Sequence, residues 1–333
     1  MRRLSCLIAS MILLVAASRS PAWNHAGHMT VAKLAWDQLT AQERVALYDL
    51  LKDHPHWDKF FTPIAKPKEV SDADFHFALA ATWPDWLRNF AKNKDADAKK
   101  IYLFHKGPRH YINWPFILPR DAEMFKDKEP SIPDTKENIV KGIDTVMAEL
   151  GDAKFSTKYR SVSLCWLLHL AGDIHQPLHN IGLLSKYSPT GDQGGNLFWV
   201  KENGVPTRLH GYWDDLLGRQ EQNASAYEAA VAKCAYLTRE QFTREKFEKE
   251  LKRLTVEEWS KDAFELAVEF AYGKGDLQGR ILSFGKDTDA EKAKAPELPA
   301  GYRDAALEVA HRQAALAGHR LADLLKKAAV GPK

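Results

Sequence analysis

The spacing of apolar and polar residues is helical over most of the chain. Apolar positions recur every three or four residues, which places them on one face of a helix. The segments with this pattern are residues 30–39, 41–51, 71–90, 135–150, 161–175, 227–236, 256–272 and 302–327. Asp134 and Ser161 are of types that cap helix starts, and Pro84 is expected to interrupt the third segment. The pattern therefore predicts a mainly α fold.

Only one pair of strands is predicted. Residues 196–201 and 207–210 flank Asn203-Gly204, a dipeptide that favours a tight turn. Charged stretches at 92–100, 120–136 and 286–299 are predicted to be surface loops. None of them separates parts of different composition, and the sequence has no internal repeat. We therefore expect residues 23–333 to form a single multi-helix domain with one short β-hairpin.

The first 22 residues have the composition of a secretory signal peptide. Arg2 and Arg3 precede an apolar run at 7–17, and the small residues at 20–22 precede a cleavage point. The apolar run is short for a membrane span, although an uncleaved anchor is the alternative. We predict that residues 1–22 are cleaved, that the protein is periplasmic or secreted, and that Trp23 begins the processed chain.

The charge balance excludes one broad class of partner. The chain has 47 basic and 44 acidic residues, and three of the arginines lie in the predicted signal peptide. A processed chain without net charge lacks the broad basic face that binds duplex phosphates by charge alone. Contact with nucleic acid must then be local. Cys165 and Cys234 remain after processing; export permits a disulfide between them, and two buried free thiols are the alternative.

The segment WLLHLAGDIHQPLH, residues 166–179, carries the most chemical information. His169 and Asp173 are four residues apart and share one face of the predicted helix. Pro177 ends the helix, and the break allows His179 to turn toward the same point. A lone histidine in an apolar helix is often structural. Two imidazoles and a carboxylate in an apolar segment are costly unless they bind something, and zinc accepts this mixture of ligands.

Four other segments supply donors of the same kinds. Each has an ordinary explanation by itself, such as a helix-start histidine or an exposed Asp–Arg pair of little energetic value. Taken with the first segment, they give five histidines, three aspartates and a free amino terminus, enough for three metal ions if one aspartate bridges two. The residues concerned are Trp23 and His28; Asp85 and Arg88; His110, Tyr111 and Asn113; His210 and Asp214.

These residues, with Gly-Gly-Asn at 194–196 and AGHRLA at 317–322, resemble the zinc-dependent single-strand nuclease/3′-nucleotidase family of fungi and plants. That family shares its fold with bacterial zinc phospholipase C. The resemblance covers nearly the whole processed chain and implies a domain of this type with three Zn²⁺ ions. It implies a first zinc on Asp85, His110, His169 and Asp173, a second on His179, His210 and Asp214, and a third on the amine and carbonyl of Trp23, His28 and bridging Asp173.

The resemblance also implies an activity. We expect hydrolysis of phosphodiester bonds in RNA and single-stranded DNA to 5′-phosphorylated products, and 3′-nucleotidase activity on 3′-nucleotides. Asp85 is expected to orient the attacking water, Arg88 to bind the phosphate in a bidentate contact, and Tyr111 to stack on a base. Fungal members often have a carboxylate where this chain has Asn113. Because an amide donates as well as accepts, we expect weaker discrimination against guanine.

Two alternatives remain open from the sequence. A zinc-dependent phospholipase C would use the same ligands on choline or inositol lipids, but it gives no reason for Asn113 beside an aromatic residue. A non-catalytic zinc-binding periplasmic protein would also contain the cluster. We expect a monomer with no stable protein partner and no membrane association. The paired disulfides of the eukaryotic members are not reproduced, since only Cys165 and Cys234 remain.

Overall fold

The computed structural model describes residues 23–126, 137–218 and 224–331, and this part of the chain is mainly helical, as predicted. The predicted signal peptide and the predicted cap Asp134 lie outside the described residues. The helices are α1 (His25–Trp36), α2 (Ala41–Lys52), α3 (Asp72–Ala80), α4 (Trp83–Trp86), α5 (Ala96–Tyr102), α6 (Ile139–Gly151), α7 (Thr157–Asp173), α8 (Leu209–Asp214), α9 (Ala224–Leu237), α10 (Glu248–Leu251), α11 (Val256–Leu266), α12 (Asp289–Lys292) and α13 (Tyr302–Ala329).

Helix α1 is at the centre of the fold and packs against α3, α7, α9 and α13. It begins five residues before the predicted segment, because the side chain of Asn24 caps it by accepting a hydrogen bond from Gly27 N. Ten of its twelve residues are buried, so it lacks the polar face from which a helix start is usually read. The early start brings His28 into the interior.

Helix α7 lies against α6 and is buried from residue 161 to its end. Ser161 was predicted as its cap, but this residue lies more than one turn inside the helix. The cap is Ser156, whose hydroxyl accepts from Tyr159 N. The helix ends at Asp173, so His175 falls outside it. Helix α6 begins at Ile139 with Asn138 as its cap, later than the predicted start at residue 135, which lies outside the described residues.

The predicted helix 71–90 is interrupted, as expected. Helix α3 ends at Ala80, and α4 starts after two intervening residues with Pro84 in its first turn, where the missing N–H of proline costs little. A 3₁₀ turn, Leu87–Phe90, continues directly from α4. The result is a kinked connection that directs Asp85 and Arg88 toward α7 rather than along a straight helix.

The strands form two small sheets. The predicted hairpin is confirmed as β3 (Phe198–Glu202) and β4 (Val205–Arg208), and Asn203 and Gly204 in its turn have φ of 53° and 80°. The second strand was predicted at 207–210, but it begins and ends two residues earlier, and Leu209 and His210 belong to α8. Strand β5 (Arg280–Ile281) extends this sheet, and β1 (Trp114–Ile117) pairs in parallel with β2 (Ile181–Leu184). These three strands were not predicted.

The two cysteines of the described chain are free and buried, which corresponds to the second of the two predicted states. Cys165 lies in α7, and the Cys234 Sγ–H donates to the Thr30 carbonyl at 3.4 Å. Packing of one large apolar cluster therefore holds the helices together without a covalent bridge. No helix among the described residues has the length and apolarity needed to cross a bilayer.

Candidate metal centre

The core of the candidate site is the carboxyl-terminal half of α7. His169 and Asp173 occupy one face of the helix, as their spacing predicts, and both are fully buried. His169 Nε2 lies 3.2 Å from Asp173 Oδ2. The sequence therefore positions the two donors side by side at the end of a helix that is anchored on all sides.

Two more predicted donors come to the same point from the amino-terminal third of the chain. His110, at the end of the 3₁₀ turn Gly107–His110, has Nδ1 3.0 Å from Asp173 Oδ2 and 2.9 Å from His169 Nε2. Asp85 in α4 has Oδ1 3.8 Å from His169 Nε2. Asp85, His110, His169 and Asp173, predicted as one ligand set, are thus brought together.

His28 also lies beside Asp173. Its ring stacks on that of His169 with centroids 4.0 Å apart, and its Nε2 lies 3.3 Å from Asp173 Oδ1. The two oxygens of Asp173 therefore face different imidazoles, since Oδ2 faces His110 and His169. This is the arrangement expected of a carboxylate that bridges two metal ions.

Trp23 is buried next to this group. A Cβ added at Gly172, the neighbour of Asp173, would lie 2.8 Å from His28 Nδ1 and 3.6 Å from Trp23 Cδ1, so α1 and Trp23 contact α7 where it lacks a side chain. The next residue, Asn24, donates its backbone N–H to the Asp214 carbonyl at 3.2 Å. The amino-terminal segment thus contacts both halves of the predicted centre.

The second half of the centre contains His179, His210 and Asp214, all buried. His179 lies in the 3₁₀ turn Pro177–Asn180, and His210 and Asp214 lie four residues apart on α8. The two imidazole rings are 4.8 Å apart, and His210 Nε2 is 3.6 Å from Asp214 Oδ2. The chain leaves α7 after Asp173, before the predicted break at Pro177, and His179 lies with His210 and Asp214, the set that the resemblance implies, rather than at the point of His169 and Asp173.

Backbone carbonyls hold three of the imidazoles in one orientation. The Nδ1–H groups of His169, His179 and His210 donate to the carbonyls of Ala81, His110 and Gly194, at 2.7, 2.6 and 2.7 Å. Each ring therefore directs a proton-free Nε2 toward the other donors. Metal-binding histidines are typically fixed in this way by their second nitrogen.

Several donor atoms in the centre form no hydrogen bond with the protein. Among these buried atoms are His110 Nε2, His179 Nε2, Asp173 Oδ1 and Asp214 Oδ2. A buried polar atom without a partner costs about 1–3 kcal/mol, so a cluster of them indicates a bound group. Three sets of side chains have ligand atoms within 4.8 Å of one another, namely His28, Asp85 and His169; His110, His169 and Asp173; and His179, His210 and Asp214. Nitrogen and carboxylate donors of this kind fit zinc.

Burial controls protonation in the centre. It lowers the pKa of His28, His110 and His179 well below the ordinary value. It lowers the pKa of His210 to about 4. It raises the pKa of Asp173 to about 6 and that of Asp214 well above the usual range. For His169 burial acts in the opposite direction, but Asp173 and Asp85 raise its pKa. An environment that opposes charge on so many groups favours a bound cation that compensates the carboxylates.

The residues predicted to bind substrate lie at the edge of the centre. Arg88 Nη2 is 3.0 Å from Asp85 Oδ1, and its side chain is 30% exposed. Tyr111 is 39% exposed, directly after His110. Asn113 is half-buried beside Gly182 of β2. These contacts put a cation and an aromatic ring within reach of solvent beside otherwise buried donors.

Sequence reasoning missed the groups that orient the ligands. Gln176 Nε2 donates to Asp214 Oδ1 at 2.6 Å, and the carbonyls of Ala81 and Gly194 accept from imidazoles. Backbone acceptors have no residue signature, so no pattern could have revealed them. Gln176 had one available signal: it is an amide within the segment 166–179 that carries three of the predicted donors.

Comparison with known proteins agrees with this geometry. The S1/P1 Nuclease family model matches residues 23–330. Nuclease S1 of Aspergillus oryzae is 25% identical over 67% of this chain and 63% of its own length. Endonuclease 1 of Arabidopsis thaliana is 24% identical over 62% of this chain and 58% of its own length. Endonuclease 4 of the same plant is 26% identical over 59% of this chain and 55% of its own length. The chain spans about three fifths of the length of these curated relatives. Because the family model matches nearly the whole chain, this protein belongs to the S1/P1 nuclease family.

Proposed function

We propose that the protein is an exported zinc-dependent endonuclease that hydrolyses RNA and single-stranded DNA to 5′-phosphorylated products and removes phosphate from 3′-nucleotides. The observation that carries this proposal is the buried cluster of imidazoles and carboxylates whose facing atoms have no hydrogen-bond partner in the protein. Membership of the S1/P1 nuclease family supports the same chemistry.

Three Zn²⁺ ions are proposed for the centre. The position of Asp173 supports this number, because its two oxygens face different imidazoles and could serve two ions. The proposed sets are Asp85, His110, His169 and Asp173; His179, His210 and Asp214; and Trp23 through its amine and carbonyl, His28 and Asp173.

The chain's own residues would bind and orient the reactants. Bound zinc would lower the pKa of water and neutralise charge on the phosphate. Asp85 would accept a hydrogen bond from the attacking water and so orient it. Arg88 lies 3.0 Å from Asp85 and is partly exposed, so its free N–H groups would contact phosphate oxygens in a fixed geometry beside that water.

The exposed ring of Tyr111 supports a substrate with unpaired bases. A base stacked on an aromatic ring gains about 1–3 kcal/mol whatever its identity. Such stacking requires a base that is turned out of a duplex, and the donors of the centre, including the adjacent His110, are buried. Both features favour single strands.

Asn113 is proposed to contact the stacked base. Its amide can donate to the O6 acceptor of guanine, which a carboxylate would repel. We therefore predict that Asn113→Asp raises the ratio of turnover on 3′-AMP to turnover on 3′-GMP. An unchanged ratio would remove Asn113 from base recognition.

Zinc analysis of the purified protein, combined with assays on three substrate classes, tests the proposal. We expect bound zinc, release of phosphate from 3′-AMP, and cleavage of RNA and single-stranded DNA faster than duplex DNA. Phosphatidylcholine vesicles serve as the competing substrate. Lipid cleavage without nucleotide turnover would indicate a phospholipase C, and zinc binding with no turnover would indicate a non-catalytic zinc protein.

The setting of the enzyme is also a proposal. Residues 1–22 have the sequence features of a cleaved signal peptide, so we infer a periplasmic or secreted monomer without a stable protein partner. Fractionation of the native host and amino-terminal sequencing of the mature protein would test this; a mature chain that begins elsewhere than Trp23 would contradict it.

A further inference from the structure

The loop that joins β2 to β3 has an unusual backbone beside the second half of the metal centre. Gln193, Gly194 and Gly195 have φ of 59°, 62° and 84°, so three successive residues are in the left-handed region. A side chain at Gly194 would place its Cβ 2.2 Å from the Leu178 carbonyl oxygen. The close approach brings the Gly194 carbonyl within 2.7 Å of His210 Nδ1.

Asp192 anchors this loop from inside the protein. Its side chain is fully buried, Oδ1 accepts from Leu183 N at 3.0 Å, and Oδ2 accepts from the Tyr272 hydroxyl at 2.6 Å. Its backbone also donates to the Leu183 carbonyl and accepts from Leu197 N, both at 3.0 Å. One residue therefore joins the loop to β2, to the start of β3 and to the segment that follows α11.

We propose that Asp192 is a positioning residue for the metal site of His179, His210 and Asp214. By fixing the loop, Asp192 holds the Gly194 carbonyl where it accepts from His210 Nδ1 and so keeps His210 Nε2 directed at the site. Asp192 itself touches neither metal ligands nor substrate. This inference rests on the proposed binding of zinc.

The loop needs such an anchor because its conformation is unfavourable by itself. The left-handed region is costly for a residue with a side chain, such as Gln193, and persists only where the surroundings impose it. A buried carboxylate that accepts two hydrogen bonds provides a strong constraint. A carboxylate is also an expensive residue to bury, since burial raises the pKa of Asp192 to about 6. An anchor of this kind is expected where an orientation has to be exact to a fraction of an ångström.

The test compares Asp192→Ala with Asp121→Ala in the full processed chain, using a zinc-selective chelator to measure affinity for each ion. Asp121 is a matched control, since it is also buried and its Oδ2 accepts from Lys186 N at 3.0 Å, at the start of the same loop and away from Gly194 in sequence. We expect one zinc ion to be bound about 10–100-fold more weakly in Asp192→Ala and all ions to be bound normally in Asp121→Ala.

Two further variants keep the test decisive if Asp192→Ala folds poorly. Tyr272→Phe removes one of the two hydrogen-bond donors to the Asp192 carboxylate. It should weaken binding of the same zinc ion, but less than Asp192→Ala does. Asp192→Asn retains an acceptor for Leu183 N and should recover part of the affinity, and higher zinc concentrations should restore turnover in every folded variant. Unchanged zinc affinity in folded Asp192→Ala or Tyr272→Phe would overturn the inference. Absence of zinc from the unmodified protein would instead overturn the proposed function.

Discussion

At the scale of single residues, Asp173 is notable because its two carboxylate oxygens face different imidazoles. Its Oδ2 faces His110 and His169, and its Oδ1 faces His28. The spacing of His169 and Asp173 predicted that they share a helix face, and the structure confirms it. The separate directions of the two oxygens could not be predicted, because they depend on where α1 crosses α7.

Asp173→Asn tests the bridge. An amide has only one oxygen and carries no charge, so we expect loss of more than one zinc equivalent and a fall in turnover of more than about 100-fold, beyond the usual effect of a residue that only supports a ligand. Metal analysis and 3′-AMP hydrolysis measure the two effects, with Asp121→Asn as the buried control. A variant that keeps most of its zinc and turnover would exclude bridging by Asp173.

His175, left outside the predicted ligand sets, is a structural residue whose titration should affect stability. Its Nδ1–H donates to the Ala171 carbonyl at 2.8 Å, and its Nε2 accepts from Arg320 Nη1 at 2.9 Å. Burial, and then the adjacent Arg320, lower its pKa from 6.5 to about 3. The unfolded chain therefore binds a proton at pH values where the folded chain does not.

The contribution of neutral His175 to the free energy of unfolding should be fully present above about pH 6.5 and should decline as the pH falls toward 3. His175→Gln removes this titration, so its free energy of unfolding should vary less between pH 7 and pH 4 than that of the unmodified protein. Urea denaturation at several pH values measures the difference. Parallel pH profiles for the two proteins would rule out this contribution.

At the scale of secondary-structure elements, the accuracy of the sequence analysis followed the exposure of each helix. The starts of α2 and α11 were predicted to the residue from apolar spacing, and the structure shows a capping box at each, Thr40 with Glu43 and Thr255 with Glu258. The starts of α1 and α7 were missed because helices buried on most sides have no polar face to define them. Strands β1 and β2 pair across more than sixty residues, and no local turn signals such a pair.

The contact between α1 and α7 yields a prediction for the metal centre. A Cβ at Gly172 would lie 2.8 Å from His28 Nδ1 in a fully buried setting, so Gly172→Ala should displace His28, weaken zinc binding and lower the thermal midpoint. Gly151→Ala at the end of α6 meets no atom within 4 Å and should leave both properties nearly unchanged. Equal zinc affinity in the two variants would mean that α1 does not need this close approach.

At the scale of the whole molecule, side chains from residue 28 to residue 214 meet in one buried centre. The residues that meet there could be predicted, since each is of a specific type and together they resemble the ligand pattern of a known family. Their support could not, because it consists of carbonyls from Ala81, His110 and Gly194 that any residue could provide. The candidate ligands can thus be recognised from residue type, whereas their orientation depends on the path of the backbone.

The buried amino-terminal segment gives a prediction for the processed chain. We expect a protein that begins at Trp23 to bind more zinc than one with two additional residues before Trp23, because a peptide nitrogen is a poor metal ligand and an amine is a good one. Metal analysis and 3′-AMP hydrolysis would compare the two forms. The same two residues added after Lys333 serve as the control, and equal zinc content in all forms would exclude the amine of Trp23 as a ligand.

Helix α1 is fixed at its start by the hydrogen bond from Asn24 to Asp214, which gives the adjacent Trp23 a defined place beside the centre. If its amine completes the centre, then the precursor is latent and maturation is the step that creates the catalyst. If the proposed nuclease function also holds, the chain could be made beside cellular transcripts and exported before it can cut them, since that ability would arise only after residues 1–22 are removed.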